Sequence, residues 1–367
     1  MKVLIVSNGY GEDLIATTLG SAWQEQAPGA EIMAMPLVGN GHYYDKGQVK
    51  VLARWKLMPS GGFIRSLRDL FADIRAGLIG QLKAQWRCLR QEQAAGPVSL
   101  CVGDVFALVM GAWGAKGPVY FLPTAKSQTF MGHSKLEYWL IRRLATKSYP
   151  RDEATCREFE AKGLAAAYVG NPMMDGLADE TPLDWPVQDG QVLVGILPGS
   201  RQEAMGNLAK ILDVIAHLAE PERYAFVVAK APSVTLSEGA VPGWRYEEAW
   251  VHEKTGVRVG LSDQFKAVIR DARLVIGLAG TANEQAVFMG KTVLAFTGTG
   301  PQSTRQRFEE QQRLLGPSLR LLSGETSQAL AKAIQAVRVP DPVEVTPESS
   351  AASTMVADML GQLGQPS

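Results

Sequence analysis

The stretch GILPGSRQEA, residues 195–204, joins an apolar run to a turn and the turn to a helical pattern. The run Val192–Leu197 is short, continuous and free of charge, which predicts a strand buried on both faces. Pro198-Gly199 turns the chain, and a helix is predicted to start near Ser200. That helix carries Leu208, Ile211, Leu212, Ile215 and Leu218 at i, i+3, i+4, i+7 and i+10. The design recurs in VIGLAGTANEQAVFMGK, residues 275–291. There a strand ends near Gly277, Gly280 allows close approach and a helix begins at Thr281. Repeated strand-turn-helix units of this kind predict a parallel sheet covered by helices on both faces.

Further strands are predicted at Ala225–Ala229, Leu274–Gly277 and Thr292–Phe296. A separate series precedes them: Val3–Ser7, Glu31–Met35, Ser99–Val102, Val119–Leu122, Lys147–Tyr149 and Ala167–Val169. Between the two series, NPMMDGLADETPLDWPVQDGQ (Asn171–Gln191) has three prolines and no sustained period, and reads as a linker. The expected organisation is two Rossmann-like α/β domains facing a cleft, over residues 1–172 and 190–337. After an irregular stretch, a helix over residues 351–363 is expected to pack back on the first domain.

The totals narrow the function. The 367 residues carry a formal net charge of +0, which argues against a general nucleic-acid binder. Cys88, Cys101 and Cys156 form no CxxC pair, and the four histidines lie far apart. A structural metal or disulfide scaffold is therefore not expected, and a reducing cytoplasm is. MKVLIV turns polar at Ser7 and reads as a strand, not a signal peptide. No apolar run approaches the roughly 18 residues of a membrane span.

The opening turn, SNGYGED at residues 7–13, combines features that conflict. A glycine-rich turn after a first strand usually holds phosphate, yet Gly9 and Gly11 are followed by Glu12 and Asp13. A G-x-G-x-x-G dinucleotide motif would need glycine at position 14, which is Leu14. MGKT at residues 289–292 lacks the first glycine of a P-loop, since Gln285 stands there. Carboxylates suit another role, because they accept hydrogen bonds from hydroxyls and serve as a general base. Alternatively they only complement the positive end of the following helix.

In the second half, backbone N–H groups at the helix start near Ser200 suit a phosphate, with Arg201 adding charge. The competing reading is a capping box of Ser200 and Glu203. Glu284 likewise reads either as a cap partner of Thr281 or as an acceptor for ribose hydroxyls. In TGTGPQSTRQRFEEQ, residues 297–311, Gly298, Gly300 and Gln302 either close over the same pocket or form a plain loop.

These motifs resemble the lipid-A-disaccharide synthase family, and more closely its lipid-A-disaccharide synthase-related branch. LPGSR (Leu197–Arg201) is similar to a family hallmark. YVGNPMMDGL (Tyr168–Leu177) resembles its interdomain segment, with Asn171 where histidine is usual. GLAGTANEQAVFMGKTVLAF resembles its Ser-Gly-Thr-x-x-x-Glu segment, placing Gly280 and Thr281 on the Gly-Thr and Glu284 or Gln285 at the acidic position. CVGDVFAL (Cys101–Leu108) stands where the family carries its base, here Asp104; the opening motif departs from the family pattern. The resemblance implies a GT-B fold and a UDP-sugar donor, with neither cofactor nor metal required. Asp104 is the expected base and Glu12 the second candidate. The implied substrate contacts are Gly9, Gly11, Asp13, Asn171, Gly199, Ser200, Arg201, Gly280, Thr281, Glu284, Gln285 and Gln302.

One further stretch is unusual. Lys50–Arg90 holds nine basic and two acidic residues, a local charge of +7, interleaved with Trp55, Phe63, Ile64, Leu67, Leu70, Phe71, Ile74, Leu78 and Ile79. This pattern suits an anionic membrane surface, or packed helices with solvated basic faces. The expected protein is a cytoplasmic, inverting UDP-sugar glycosyltransferase, peripheral on the inner membrane face, with a lipid-like acceptor. The alternatives are a non-hydrolysing UDP-sugar 2-epimerase and a non-catalytic UDP-sugar-binding protein.

Overall fold

In the computed structural model, the residues described are all but 48, 61–66, 129–131, 178–180, 201–202, 232–233, 235–240, 301–302, 342–349 and 365–367. The chain divides into two units, Met1–Asp175 with Glu348–Ser367, and Gly176–Pro347.

In the first unit, β1 (Lys2–Ser7), β2 (Glu31–Pro36), β3 (Lys50–Val51), β4 (Val98–Gly103), β5 (Val119–Pro123) and β6 (Lys147–Ser148) form one sheet. All pairs are parallel, in the order β3-β2-β1-β4-β5-β6. Its helices are α1 (Tyr10–Gln26), α2 (Leu67–Arg75), α3 (Leu78–Gln93), α4 (Val105–Ala112), α5 (Lys135–Leu144) and α6 (Glu153–Ala161). The strand order reverses direction between β1 and β4. In doubly wound sheets, ligands bind at the carboxyl ends of the strands flanking such a switch point.

The second unit repeats the plan with β7 (Val192–Leu197), β8 (Tyr224–Ala229), β9 (Trp244–Glu247), β10 (Ala249–His252), β11 (Arg258–Ser262), β12 (Leu274–Gly277), β13 (Thr292–Ala295) and β14 (Leu319–Leu321). Their order is β14-β13-β12-β7-β8-β11-β10-β9, with the switch point between β7 and β12. Its helices are α7 (Ala204–Ala216), α8 (Phe265–Asp271), α9 (Thr281–Phe288), α10 (Arg305–Leu315) and α11 (Ser327–Gln335). The last helix, α12 (Ala351–Leu363), belongs to the first unit.

Two strand expectations need correction. Residues 167–169 form no strand; only Ala166 bridges Ser148. The sheet of the second unit is not wholly parallel, because β9 and β10 add an antiparallel hairpin at its edge. Its turn residue Glu248 adopts φ 57°, which no local glycine or asparagine signals.

Val3–Val6 of β1 are fully buried, as a strand covered on both faces requires. The α1 stripe of Ile15, Ala16, Leu19, Ala22 and Trp23 packs in one core with Met355, Val356 and Met359 of α12. Full burial of a large apolar side chain contributes about 1.5–3 kcal/mol. Electrostatics hold the α12 start. The Asp175 carboxylate accepts from Ser350 Oγ (2.8 Å), Ala351 N (2.9 Å) and Ala352 N (2.8 Å), a negative charge on a positive helix end. Gly170, at φ 98°, has no Cβ to meet the Ala351 methyl 2.9 Å away. The segment around Asn171 thus anchors α12, and the Asn171 side chain accepts from Met173 N (3.1 Å) within that turn.

Candidate functional site

At the switch point of the first unit, the loops after β1 and β4 meet. Asp104 follows β4 and is the N-cap of α4. Its Oδ1 accepts from Asn8 Nδ2 (2.6 Å), Phe106 N (2.9 Å) and Ala107 N (3.2 Å). Burial pushes the Asp104 pKa up, against the lowering effect of those bonds. One oxygen is therefore fixed by three donors, and the described hydrogen bonds leave Oδ2 to other partners. Gly103, at φ 139°, makes the arrangement possible: a Cβ there would lie 1.8 Å from Asn8 Oδ1. Asn8 stands inside the opening motif, and reading that motif for carboxylates alone missed it.

The opening turn is filled from within. A Cβ on Gly9 would lie 2.2 Å from Glu12 Oε2, so the Glu12 carboxylate folds back over the start of α1. The helix end that would attract phosphate is served by the helix's own acid. Glu12 also accepts from Thr124 Oγ1 (3.2 Å) after β5, and Thr124 O accepts from Arg151 Nη1 (2.9 Å). Gly11 lies in the same first turn of α1.

Asp13 departs from expectation. It is fully buried and so cannot touch a substrate. Ser7 Oγ donates to its Oδ1 at 2.6 Å, and Tyr44 OH lies 2.6 Å from the same Ser7 oxygen. The single Ser7 proton goes to Asp13, so Tyr44 donates to Ser7. Asp13 Oδ2 is buried with no hydrogen-bond partner. Burial pushes the Asp13 pKa up to about 7, with the Glu12 charge adding to it and the Ser7 bond opposing it.

In the second unit, the three glycine-bearing loops follow β7, β12 and β13, which are neighbours in the sheet. Both capping-box readings fail. Helix α7 starts at Ala204 with Glu203 as N-cap, so exposed Ser200 lies in the loop before it and not at the predicted helix start. Helix α9 has Gly280 as N-cap and Thr281 as its first residue, so Glu284 is one position too far along for a box. Of the two acidic-position candidates, Gln285 is buried and Glu284 half-buried. Gly199, at φ 107°, makes the turn in a conformation that favours glycine. Arg201 and Gln302 lie outside the described residues.

Residues that the motif readings did not single out hold these loops. Asn207 and Asn283 are fully buried. Asn283 Nδ2 donates to Gly277 O (3.1 Å) and Gln311 Oε1 (3.0 Å), and Gln311 Nε2 donates to Gly280 O (2.8 Å). Asn207 makes its side-chain hydrogen bonds to Pro198, Thr299 and Ser303. A polar residue inside an apolar helical stripe was the one available signal, since buried amides need partners. Along the same sheet edge, a cavity of about 340 Å³ is lined by Asp184, Lys230, Leu261, Ser262, Asp263 and Gln264, at the carboxyl ends of β8 and β11.

The basic stretch forms β3 and an irregular segment over residues 50–60, then α2 and α3 from Leu67 onward; Phe63, Ile64 and Arg65 lie outside the described residues. Helix α2 is amphipathic in the reverse sense. Leu67 and Phe71 are 76% and 68% exposed, and Ile74 and Ile79 are exposed as well. Its acid Asp73 is buried, accepting from Ser60 N (2.9 Å) and Ser60 Oγ (2.6 Å). Among the described residues, no helix is long and apolar enough to cross a membrane.

No protein-family model and no curated protein sequence matches the chain. Solved structures do. The chain is similar to the UDP-GlcNAc 2-epimerase from Neisseria meningitidis, crystallised with UDP-GlcNAc, at 13% identity and TM-score 0.57, covering 99% of this chain and 100% of that one. The UDP-GlcNAc 2-epimerase from Methanocaldococcus jannaschii gives 12% identity and TM-score 0.58, over 98% and 100%. The calicheamicin glycosyltransferase CalG4 gives 13% identity and TM-score 0.56, over 98% and 94%. Likeness at this identity establishes the fold: two Rossmann-like α/β domains of the GT-B class.

Proposed function

We propose that the chain is an inverting, UDP-sugar-dependent glycosyltransferase, similar to lipid-A-disaccharide synthase, acting on a lipid-like acceptor at an anionic membrane surface. The carrying observation is the meeting of three glycine-bearing loops at the carboxyl ends of the adjacent strands β7, β12 and β13. That edge suits a diphosphate, which takes hydrogen bonds from the first N–H groups of α7 and α9 and charge from Arg201. Glu284 accepts from the ribose hydroxyls, and the cavity beside β8 and β11 takes the base. In the first unit, the acceptor hydroxyl gives its proton to Asp104 as its oxygen bonds to the sugar anomeric carbon. The carbon–oxygen bond to the diphosphate breaks and UDP leaves.

UDP is expected to raise the melting temperature; at 100 times its dissociation constant the stabilisation is about 2.7 kcal/mol. UMP stabilises less, because it lacks the second phosphate. Glu284→Gln weakens both, since both carry the ribose. Calorimetric titration checks this, and absence of UDP binding by the wild type would overturn the proposal. A 2-epimerase reading is supported by the two epimerases of the same fold. Turnover of UDP-GlcNAc without any acceptor, followed by proton NMR, would establish it in place of transfer.

The α2 surface supports the membrane assignment. Leu67, Phe71 and Ile74 are spaced i, i+4 and i+7 and stand exposed beside Arg68 and Arg75. Arg68→Gln with Arg75→Gln should weaken binding to phosphatidylglycerol vesicles by about 30-fold, from about 1 kcal/mol per basic residue near the surface. Added salt should narrow the difference. Equal co-sedimentation of wild type and double variant would remove α2 from the membrane contact.

A further inference from the structure

We infer that Asn207 is a positioning residue that sets the geometry of the diphosphate site; this rests on the UDP-binding reading above. Asn207 is the fourth residue of α7 and fully buried. Its Nδ2 donates to Pro198 O (2.9 Å), in the loop after β7, and to Ser303 Oγ (2.9 Å), in the loop after β13. Its Oδ1 accepts from Thr299 N (2.7 Å) and Thr299 Oγ1 (3.1 Å), also after β13. Ser303 Oγ in turn donates to Leu278 O (3.2 Å), in the loop after β12. One amide therefore reaches all three loops, directly or through one hydroxyl, with both donors and both acceptor sites used.

Two glycines are cleared for this hub. A Cβ on Gly298 would lie 2.3 Å from Asn207 Oδ1, and one on Gly206 would lie 2.6 Å from Thr299 Oγ1. Helical periodicity alone would put an aliphatic residue at position 207, beside Leu208 and Ile211. A buried amide there is tolerated only because every polar atom is paired. The carbonyls of Pro198 and Leu278 belong to the loops whose neighbouring N–H groups would face a diphosphate. Fixing those carbonyls fixes the peptide planes next to the ligand. Uridine contacts, farther along the sheet edge, do not depend on them.

The test compares wild type, Asn207→Ala, Asn207→Asp and Ser303→Ala by calorimetric titration with UDP, UMP and uridine. Melting temperatures are measured without ligand. Asn207→Asp keeps the acceptor for Thr299 and removes both donors. Ser303→Ala removes the tie to Leu278 and one of the two Asn207 donor contacts, keeps the Asn207 bonds to Pro198 and Thr299, and introduces no buried charge, so it serves if the Asn207 variants do not fold. The expected result is a UDP affinity 10- to 100-fold lower in the Asn207 variants and less reduced in Ser303→Ala. The UDP-over-UMP advantage shrinks in the same order, with uridine binding unchanged. Lower melting temperatures with all three affinities unchanged would make the hub a structural staple and overturn the inference. Equal losses for UDP, UMP and uridine would do so too. Failure of the wild type to bind UDP would instead overturn the function proposed above, and this inference with it.

Discussion

Asp104→Asn is expected to lower turnover by about 100-fold or more while leaving UDP affinity intact, the usual scale for removal of a general base. The structure makes this substitution a clean one. An asparagine Oδ1 can still accept from Asn8, Phe106 N and Ala107 N, and asparagine caps helices about as well as aspartate. Alanine would add a capping loss of about 0.5–2 kcal/mol and confuse stability with chemistry. Because burial pushes the Asp104 pKa up, the carboxylate is a stronger base than an exposed aspartate, and activity should fall on the acid side as it protonates. Glu12→Gln is the control, since Glu12 shares the same end of the sheet. Full activity in Asp104→Asn with loss in Glu12→Gln would move the base to the opening turn.

The second large effect is on stability and comes from Asp13. Its pKa is about 7 in the folded chain against an ordinary 3.8, so the folded state holds this proton more tightly than the unfolded state does. Stability from this group is fully present below pH 3.8 and declines as pH rises through about 7, above which both states are ionised. Between pH 5 and pH 8 the loss is about 2.7 kcal/mol, at 1.36 kcal/mol per pKa unit. Urea midpoints at the two pH values should show this drop in the wild type. Asp13→Asn should lack it. That variant leaves an amide where Oδ2 has no partner, a cost of about 1–3 kcal/mol that is the same at every pH. The pH slope is therefore the readout, and equal slopes in the two proteins would show that Asp13 titrates normally.

Much of the fold is built from local pattern and can be read along the chain. The strands at Val192–Leu197 and Leu274–Gly277 and the helix at Ala351–Leu363 have the bounds that apolar runs and periodicity predict. Such elements are legible because burial on both faces, or on one stripe, writes a period into neighbouring residues. The glycine-bearing turns were legible for the same reason, since a φ near 107° at Gly199 is a demand on a single residue.

The surroundings of those turns were settled only by the packing of distant segments. The capping readings of Ser200 and Glu284 failed because a helix start depends on how the preceding segment packs: α7 takes Glu203 as its N-cap and α9 takes Gly280. Asp13 looked like a ligand contact beside Glu12. Adjacent helix positions point about 100° apart, which turned one over the helix end and the other into the core. Asn207 pairs with Pro198, Thr299 and Ser303, and the last two lie more than ninety positions away. No local period can encode that match, because a hydrogen bond between distant loops exists only once the sheet has set their carboxyl ends side by side.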